Sequence, residues 1–229
     1  MSDEGNGLDW TFGWPVRAAR LLLQQAVLFP IVRLLTPVTV RNPERLRHRQ
    51  GPVIVVANHV SHFDTPVILK ALPGSIRRRL VVAAAKDYFY RNRFLGALVS
   101  LSFATFPFDR GDGSRDSLAE CQVLLTNGWS LLVFPEGTRT STGTLGRIRR
   151  GVAVMADATG TPVLPMYVHG LADIMPKGTA APLPGAVVVE AGELINPGPD
   201  VEVMRCRIEE ALQDLAAHRP DWGTTGANR

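Results

Sequence analysis

The stretch VIVVANHVSHFDTP, residues 53–66, indicates the kind of fold that the chain adopts. Its first five residues, 53–57, form a continuous apolar run rich in β-branched side chains, which is typical of a strand that is buried on both faces. At its other end, Thr65 offers a cap and Pro66 a first-turn proline for a helix. Two histidines and an aspartate therefore fall in a predicted strand-to-helix turn.

The same alternation of short strands and helical segments continues along the chain. Further strands are predicted over 80–85, 103–108, 131–134, 163–168 and 187–190. Helices are predicted over 65–72, around 118–125, over 151–158 and after a capping Asp200. This pattern predicts an α/β fold with a mixed, largely parallel sheet flanked by helices and an N-terminal amphipathic helical segment. Functional groups are then expected in the loops that follow the carboxyl ends of the strands.

At 229 residues the chain is long enough to bury the core of one main domain. We predict an N-terminal amphipathic helical segment at the membrane interface over 1–40, a main domain over 41–219, and a flexible tail over 220–229. Cys121 and Cys206 have no zinc or redox spacing, which favours a reducing, cytoplasmic location. No secretory pattern is present at the N-terminus, so export is not expected.

The charge of the chain favours anionic partners. Its net charge is +4, and its arginines are bunched over 41–49, 77–79 and 147–150. Anionic lipid headgroups, a phosphorylated substrate and nucleic acid are all candidates on charge alone, and a solvated surface is the simplest alternative for any one cluster. No nucleic-acid motif accompanies the clusters, so no nucleic-acid partner is predicted.

Near the N-terminus, aromatic residues and two arginines lead into an apolar run. The run over 21–32 is about 12 residues long, whereas a membrane-spanning helix needs about 20 apolar residues, so the run is not expected to cross a bilayer alone. Aromatic anchors, cations and an apolar face together suit a helix that lies in the membrane interface. The alternative is a helix packed against its own domain.

Three interpretations of the turn after 53–57 are open from the residues alone. Asp64 could orient the imidazole of His59 and leave its other nitrogen basic, as in a general base with its orienting carboxylate. His62, Asp64 and a distant His169 could instead form an iron site of the two-histidine, one-carboxylate type, although the helix-strand alternation argues against the barrel that such sites use. The third interpretation is a polar turn without chemistry, in which His62 packs or caps locally.

A second candidate loop is FPEGTRTSTGTLGRIRRG, residues 134–151. Gly137 allows a close backbone approach to a ligand, and the forked guanidinium of Arg139 suits a phosphate or a carboxylate. Arg150 adds charge where a helix begins, a place that itself favours anions. The alternative for Glu136 and Arg139 is a surface ion pair.

With these residues in view, the chain resembles the glycerolipid acyltransferase family, whose members similar to lysophosphatidic acid acyltransferases carry NHxxxxD and FPEGTR blocks. Both blocks are intact, and two weaker blocks fall in the expected order. The four are residues 58–64, 108–110, 134–139 and 163–165. The resemblance implies that the main domain over 41–219 is an acyltransferase domain, that His59 is the general base and that Asp64 orients it. It also implies a substrate-binding set made of Lys86, Arg110, Glu136, Gly137, Thr138, Arg139 and Arg150.

The resemblance further implies the reaction and its partners. An acyl group would pass from acyl-CoA or acyl-ACP to the hydroxyl of a lysophospholipid, with 1-acylglycerol-3-phosphate as the expected acceptor and phosphatidic acid as the product. No metal or organic cofactor is implied beyond the thioester donor. The expected location is cytoplasmic and peripheral, on the inner face of the cell membrane. Transfer to another hydroxyl acceptor and a non-catalytic anionic-lipid-binding module are the alternatives.

The chain departs from the family after the third block. Many members have a phenylalanine and a lysine before the glycine, whereas this chain has Ile148, Arg149, Arg150 and Gly151. Arginine keeps the charge but is wider and planar, so the choice of acceptor is the property that this difference affects.

Overall fold

The structure, a computed structural model, describes residues 12–47, 51–85, 93–108, 114–140, 145–175, 179, 183 and 185–220. The strands are β1 (Val38–Arg41), β2 (Ile54–Ala57), β3 (Leu80–Ala85), β4 (Thr105–Phe108), β5 (Ser130–Val133), β6 (Val163–His169) and β7 (Val187–Ala191). The helices are α1 (Trp14–Leu35), α2 (Asp64–Ala71), α3 (Gly74–Arg77), α4 (Arg93–Phe103), α5 (Ser114–Thr126), α6 (Gly151–Thr159), α7 (Leu171–Ile174) and α8 (Val201–Ala217).

Within these residues the strands form one sheet in the order β1-β7-β6-β2-β5-β3-β4. Neighbouring strands from β6 to β4 are parallel, β7 is antiparallel to β6, and β1 is parallel to β7. The predicted mixed, largely parallel sheet is thereby confirmed. Because β2 and β5 are parallel neighbours, the loops that follow them meet at one edge of the sheet.

Helices cover both faces of the sheet, as the continuous apolar strands require. On one face, Val55 and Leu164 pack with buried residues of α1 and α2. On the other face, Ile54 and Leu131 pack with buried residues of α5, α6 and α8. Alternate residues of one strand thus enter opposite layers of core, so a shift of register by one residue would exchange them.

The observed elements differ from the predicted ones at a few places. The strand predicted over 103–108 begins only at Thr105, because Phe103 ends α4 and Ala104 takes a left-handed conformation with φ of 50°. Neither β1 nor α4 is predicted from the sequence. The predicted cap at Thr65 is wrong, because α2 begins at Asp64 and its N-cap residue is Phe63, which places Thr65 inside the first turn. The capping role of Asp200 is confirmed, since its carboxylate accepts hydrogen bonds from the backbone N–H groups of Glu202 and Val203.

The N-terminal helix α1 is 22 residues long and contains a π-helical turn at Gln24–Leu28. Its length exceeds the 12-residue uncharged run, and by length and composition it could cross a membrane. Core helices of soluble proteins pass the same test, but only 22% of its apolar stretch is buried. The helix packs one face on the domain and leaves Trp14, Leu22 and Leu34 70–86% exposed on the other.

The predicted boundary at residue 40 falls inside β1, which pairs with β7 in the sheet. Of the predicted tail over 220–229, only Pro220 lies within the described residues, and α8 ends just before it at Ala217. The division into a helical segment, a domain and a tail stays a prediction.

Candidate active site

The turn between β2 and α2 brings together the side chains of His59 and Asp64. Nδ1 of His59 lies 2.8 Å from Oδ2 of Asp64. A carboxylate can only accept hydrogen bonds, so Nδ1 carries the hydrogen and Nε2 is the nitrogen left with a free lone pair. Among the three interpretations of this turn, the geometry is that of a base with its orienting carboxylate.

Asp64 is held by the backbone of the turn as well as by the imidazole. The same Oδ2 atom accepts hydrogen bonds from the N–H groups of Val60 and Ser61, both at 2.8 Å. Its side chain is fully buried, and Oδ1 has no hydrogen-bond partner among the described residues. Asp64 also begins α2, where the helix dipole favours a negative charge. The turn therefore fixes the carboxylate before any substrate arrives.

The imidazole of His59 is fixed from a second side by the loop after β5. Its ring stacks on Phe134, with 4.0 Å between the centroids and 16° between the planes. The N–H of His59 donates to Oε1 of Glu136 at 2.8 Å, and its carbonyl accepts from the N–H of Thr140 at 2.9 Å. The two loops that the parallel sheet brings together are thus bonded to each other through the backbone of His59.

Glu136 is buried and bonded to the backbone of both loops, so it is not the surface ion pair that was the alternative interpretation. Its Oε2 accepts a hydrogen bond from the N–H of Gly146 at 2.7 Å, while Oε1 accepts the N–H of His59. Burial raises the pKa of Glu136, and the two backbone N–H groups oppose that rise. A Cβ atom at Gly146 would lie 2.7 Å from Oε2, so the close approach requires glycine.

Two residues of the site had no role assigned from the sequence, although both stand inside recognised blocks. Asn58 is buried, and its amide pairs with the backbone of β6: Nδ2 donates to the carbonyl of Val168 at 3.1 Å and Oδ1 accepts its N–H at 2.8 Å. Phe134 supplies the stacking surface described above. The available signal was their place in the sequence, since Asn58 directly precedes His59 and Phe134 stands two residues before Glu136.

A cavity of about 670 Å³ opens beside His59. This volume lies within the range of about 300–1,000 Å³ that is usual for ligand pockets. Its apolar wall includes Val82, Val99, Phe103, Leu118, Val133 and Met155. Three arginines, Arg115, Arg149 and Arg150, also line it. The cavity therefore offers apolar and cationic surface next to the imidazole.

The predicted substrate-binding residues that the structure describes lie at this cavity, at an adjacent depression and near His62. Gly137 and Arg150 line this cavity, and Arg150 also lines an adjacent depression with Glu136 and Thr138. Arg139 lies close to His62, whose pKa is lowered to about 4 by burial and then by the charges of Arg139 and His59. Lys86 and Arg110 lie outside the described residues.

The residues weighed for an iron site are not gathered at one point. His62 lines the cavity, whereas His169 lies 4.6 Å from the ring of Tyr167 and 3.7 Å from the carboxylate of Glu190. In the part of the chain that the structure describes, no three His, Cys, Asp or Glu side chains form a group that could hold a metal ion.

Comparison with known proteins decides the family. Residues 37–169, more than half of the chain, match the Acyltransferase family. The chain belongs to this family. Among relatives of the Acyltransferase family, it is 32% identical to the chloroplastic 1-acyl-sn-glycerol-3-phosphate acyltransferase BAT2 of Brassica napus, over 59% of this chain and 38% of that protein. It is 30% identical to the human 1-acyl-sn-glycerol-3-phosphate acyltransferase alpha, over 55% of this chain and 44% of the human protein.

The matched region spans less than half the length of each of these two relatives. A solved structure with the same overall fold is that of the 1-acyl-sn-glycerophosphate acyltransferase PlsC of Thermotoga maritima. The likeness has a TM-score of 0.68 at 22% identity and covers 94% of this chain and 84% of that one. The two proteins therefore share one overall fold.

Proposed function

We propose that this protein is an O-acyltransferase that moves an acyl group from acyl-CoA or acyl-ACP to the hydroxyl of 1-acylglycerol-3-phosphate. The product is phosphatidic acid. The observation that carries the proposal is the His59–Asp64 pair, held rigidly beside a cavity with an apolar wall and three arginines. Membership of the Acyltransferase family and the names of the relatives support the acceptor.

In the proposed mechanism, Nε2 of His59 removes the proton of the acceptor hydroxyl as its oxygen attacks the thioester carbonyl carbon. The bond from that carbon to sulfur breaks, and the departing thiolate takes the proton from His59. Asp64 stabilises the imidazolium that exists between these steps, because its carboxylate already accepts the Nδ1 hydrogen. General-base catalysis of this kind contributes about 10²–10⁴-fold to the rate.

Direct transfer needs no protein nucleophile, and the state of Cys121 agrees with this. Its side chain is fully buried in α5, and burial together with the charge of Glu120 raises the pKa of its thiol to about 12. The thiolate is the reactive form of cysteine, so a thiol with this pKa stays unreactive at neutral pH.

The two kinds of cavity surface match the two chemical parts of the substrates. An acyl chain gains from burial against the apolar wall, and the acceptor phosphate gains from guanidinium groups that bind it with two donors. Arg150 was predicted for this role from the sequence, and Arg115 and Arg149 stand at the same cavity. We assign Arg139 and, by resemblance, Lys86 and Arg110 to the same phosphate.

We further propose that α1 seats the protein on the inner face of the cell membrane. Its exposed face carries Trp14, Leu22 and Leu34, while its polar Arg20 and Gln24 are buried. The exposed surface also carries Gln25 and Arg33, and large apolar side chains beside a cation are the arrangement expected of a helix that lies in the membrane interface. The proposed acceptor and product are membrane lipids, so such seating brings the cavity to them.

Release of free thiol from acyl-CoA, with and without 1-acylglycerol-3-phosphate, tests the proposal. The wild type should release thiol only with the acceptor present, and His59→Ala should lower the rate about 10²–10⁴-fold. The matched control is His218→Gln, because His218 also bonds a carboxylate, Glu190, at 3.0 Å but does so away from the cavity. That variant should keep the wild-type rate.

Each alternative function gives its own result in this assay. Thiol release with a different hydroxyl acceptor only would preserve the chemistry and replace the acceptor. Binding to anionic vesicles without thiol release for any acceptor or donor would favour the non-catalytic lipid-binding module. A folded His59→Ala variant with the wild-type rate would refute His59 as the base.

A further inference from the structure

The buried face of α1 carries two polar side chains whose burial calls for a reason. Arg20 is 6% exposed and Gln24 is 2% exposed. Burial and the charge of Arg17 lower the pKa of the Arg20 guanidinium to about 10. A helix that served only to display an apolar face to lipid would gain by having apolar residues at these two positions, because burying polar groups costs free energy unless they are well bonded.

Both side chains bond to the last turn of α4. Nε of Arg20 donates to the carbonyl of Leu101 at 2.9 Å, and Nη2 donates to the carbonyl of Ser100 at 3.3 Å. Nε2 of Gln24 donates to the carbonyl of Ser102 at 2.9 Å. The last carbonyls of a helix lack partners within it, and a cation is favourable there. One turn of α1 therefore bonds three successive carbonyls at the end of α4, of which that of Ser100 also accepts the N–H of Ala104.

The capped end of α4 passes directly into a constrained connection. Ala104 has a positive φ, a conformation that costs a residue with a Cβ atom roughly 1–2 kcal/mol. Its N–H donates to the carbonyl of Ser100 at 2.9 Å, and the hydroxyls of Ser100 and Thr105 lie 2.9 Å apart in a buried contact. These contacts fix where α4 stops and β4 begins.

The same short segment forms part of the cavity wall beside His59. Val99 and Phe103 stand four residues apart in α4, hence on one face of it, and both line the cavity together with Thr105. The carbonyls held by Arg20 and Gln24 lie between these two wall residues in the sequence. A shift of the last turn of α4 would therefore move Val99 and Phe103 and change the shape of the apolar pocket.

We propose that Arg20 and Gln24 are positioning residues that set the acyl-chain preference of the donor site by holding the α4 wall of the cavity. This inference rests on the proposed function, because it assigns the apolar wall to the acyl chain of the thioester donor. The helix that meets the lipid on its outer face thereby also shapes the pocket on its inner face.

The test uses the full chain and the double variant Arg20→Met with Gln24→Leu, which removes the three donors and keeps side chains of similar length. The matched control is Arg17→Met. Arg17 lies on the same helix, with its guanidinium 5.3 Å from the ring of Trp129, and it touches neither α4 carbonyls nor the cavity in the contacts described. The measured quantity is the ratio of kcat/KM for a C16 acyl-CoA to that for a C10 acyl-CoA.

The double variant should change this ratio at least about tenfold, whereas Arg17→Met should leave it within about twofold even if it lowers the melting temperature. A purely structural role would lower the melting temperature of both variants and leave the ratio unchanged, and that result would overturn the inference. A dependence on the chain length of the acceptor, with none on that of the donor, would overturn it as well.

A binding measurement separates this inference from the proposed function. Calorimetric titration with non-hydrolysable thioether analogues of C10 and C16 acyl-CoA gives a Kd ratio without turnover. If the wild type releases no thiol, but the ratio of the Kd values for the C16 and C10 analogues differs between the double variant and the wild type, the proposed function fails and the positioning role stands. If the wild type releases thiol, but the double variant changes neither the kcat/KM ratio nor the Kd ratio, the proposed function stands and the positioning role fails. Should the double variant not fold, Gln24→Leu alone, which removes one bond, replaces it and should shift the ratio in the same direction.

Discussion

Replacing Asp64 with asparagine tests how the site works, because the structure dictates how the new side chain must lie. Oδ2 of Asp64 accepts three hydrogen bonds, from Nδ1 of His59 and from the N–H groups of Val60 and Ser61. Asparagine has one oxygen, and only that oxygen can satisfy the three donors. Its NH₂ group must then take the place of Oδ1, and the tautomer of His59 is preserved.

The expected loss of activity follows from the charge that is removed. A hydrogen bond from an imidazolium to a carboxylate is worth about 1.5–3 kcal/mol, and one between neutral groups about 0.5–1.5 kcal/mol. The transition state therefore loses about 1–2 kcal/mol, which lowers kcat about 5–30-fold. This loss is smaller than the roughly 10²–10⁴-fold loss expected for His59→Ala.

The expected loss of stability follows from the position of Oδ1. That atom is buried and has no partner among the described residues, so the new NH₂ group buries two unbonded donors there. Such burial costs about 1–3 kcal/mol. In a chain of this size each kcal/mol lowers the melting temperature by about 2–4 °C, so a decrease of about 2–12 °C is expected.

A double-mutant cycle of thiol release decides whether Asp64 acts through His59. If it does, Asp64→Asn should cause no further loss in a chain that already carries His59→Ala. An equal 5–30-fold loss in both backgrounds would refute the reasoning, because the carboxylate would then contribute independently of the imidazole. A folded Asp64→Asn variant within twofold of the wild-type rate would refute it as well.

Three further predictions rest on separate contacts. In Glu136→Gln the NH₂ group of the glutamine would face one of the two backbone N–H donors that Glu136 accepts, so the melting temperature should fall by about 2–12 °C. The control Glu193→Gln, at a side chain that is 79% exposed, should not change the melting temperature measurably. Burial lowers the pKa of His62 from 6.5 to about 4 in the folded protein, so the unfolded chain is protonated first as the pH falls. The contribution of neutral His62 to the free energy of unfolding is therefore complete above pH 6.5 and is lost as the pH falls towards 4. His62→Gln should weaken this acid dependence in denaturant titrations, and an unchanged dependence would contradict the assignment. Leu22→Glu with Leu34→Glu should abolish co-sedimentation with anionic vesicles while leaving the melting temperature nearly unchanged, and undiminished binding would move the membrane contact away from α1.

Much of this arrangement was predictable because its signals are local. The apolar run before His59 predicts a buried strand, and Pro66 in the first turn predicts a helix, so the turn that joins His59 to Asp64 follows from the stretch over residues 53–66. The start of that helix is less well predicted, because Thr65 is a residue type that often caps helices, whereas α2 begins before it at Asp64. Local signals also predict the cap at Asp200 and the alternation that indicates a parallel sheet. Backbone preference and hydrophobic period act over a few residues, and for that reason they can be seen in one sequence without any knowledge of the fold.

The contacts between distant segments were decided only by the tertiary structure. His59 and Glu136 are 77 residues apart, and they meet because β2 and β5 become parallel neighbours in the sheet. In the sequence, Arg20 is one of two cations before an apolar run, but in the structure it bonds the end of α4, 80 residues later. No local pattern shows which strands pair or which carbonyls a distant side chain will bind, because both follow from the packing of the whole chain. The same packing buries Arg20 and Gln24 of α1 together with Phe29 and Val32, and it leaves Trp14, Leu22 and Leu34 exposed.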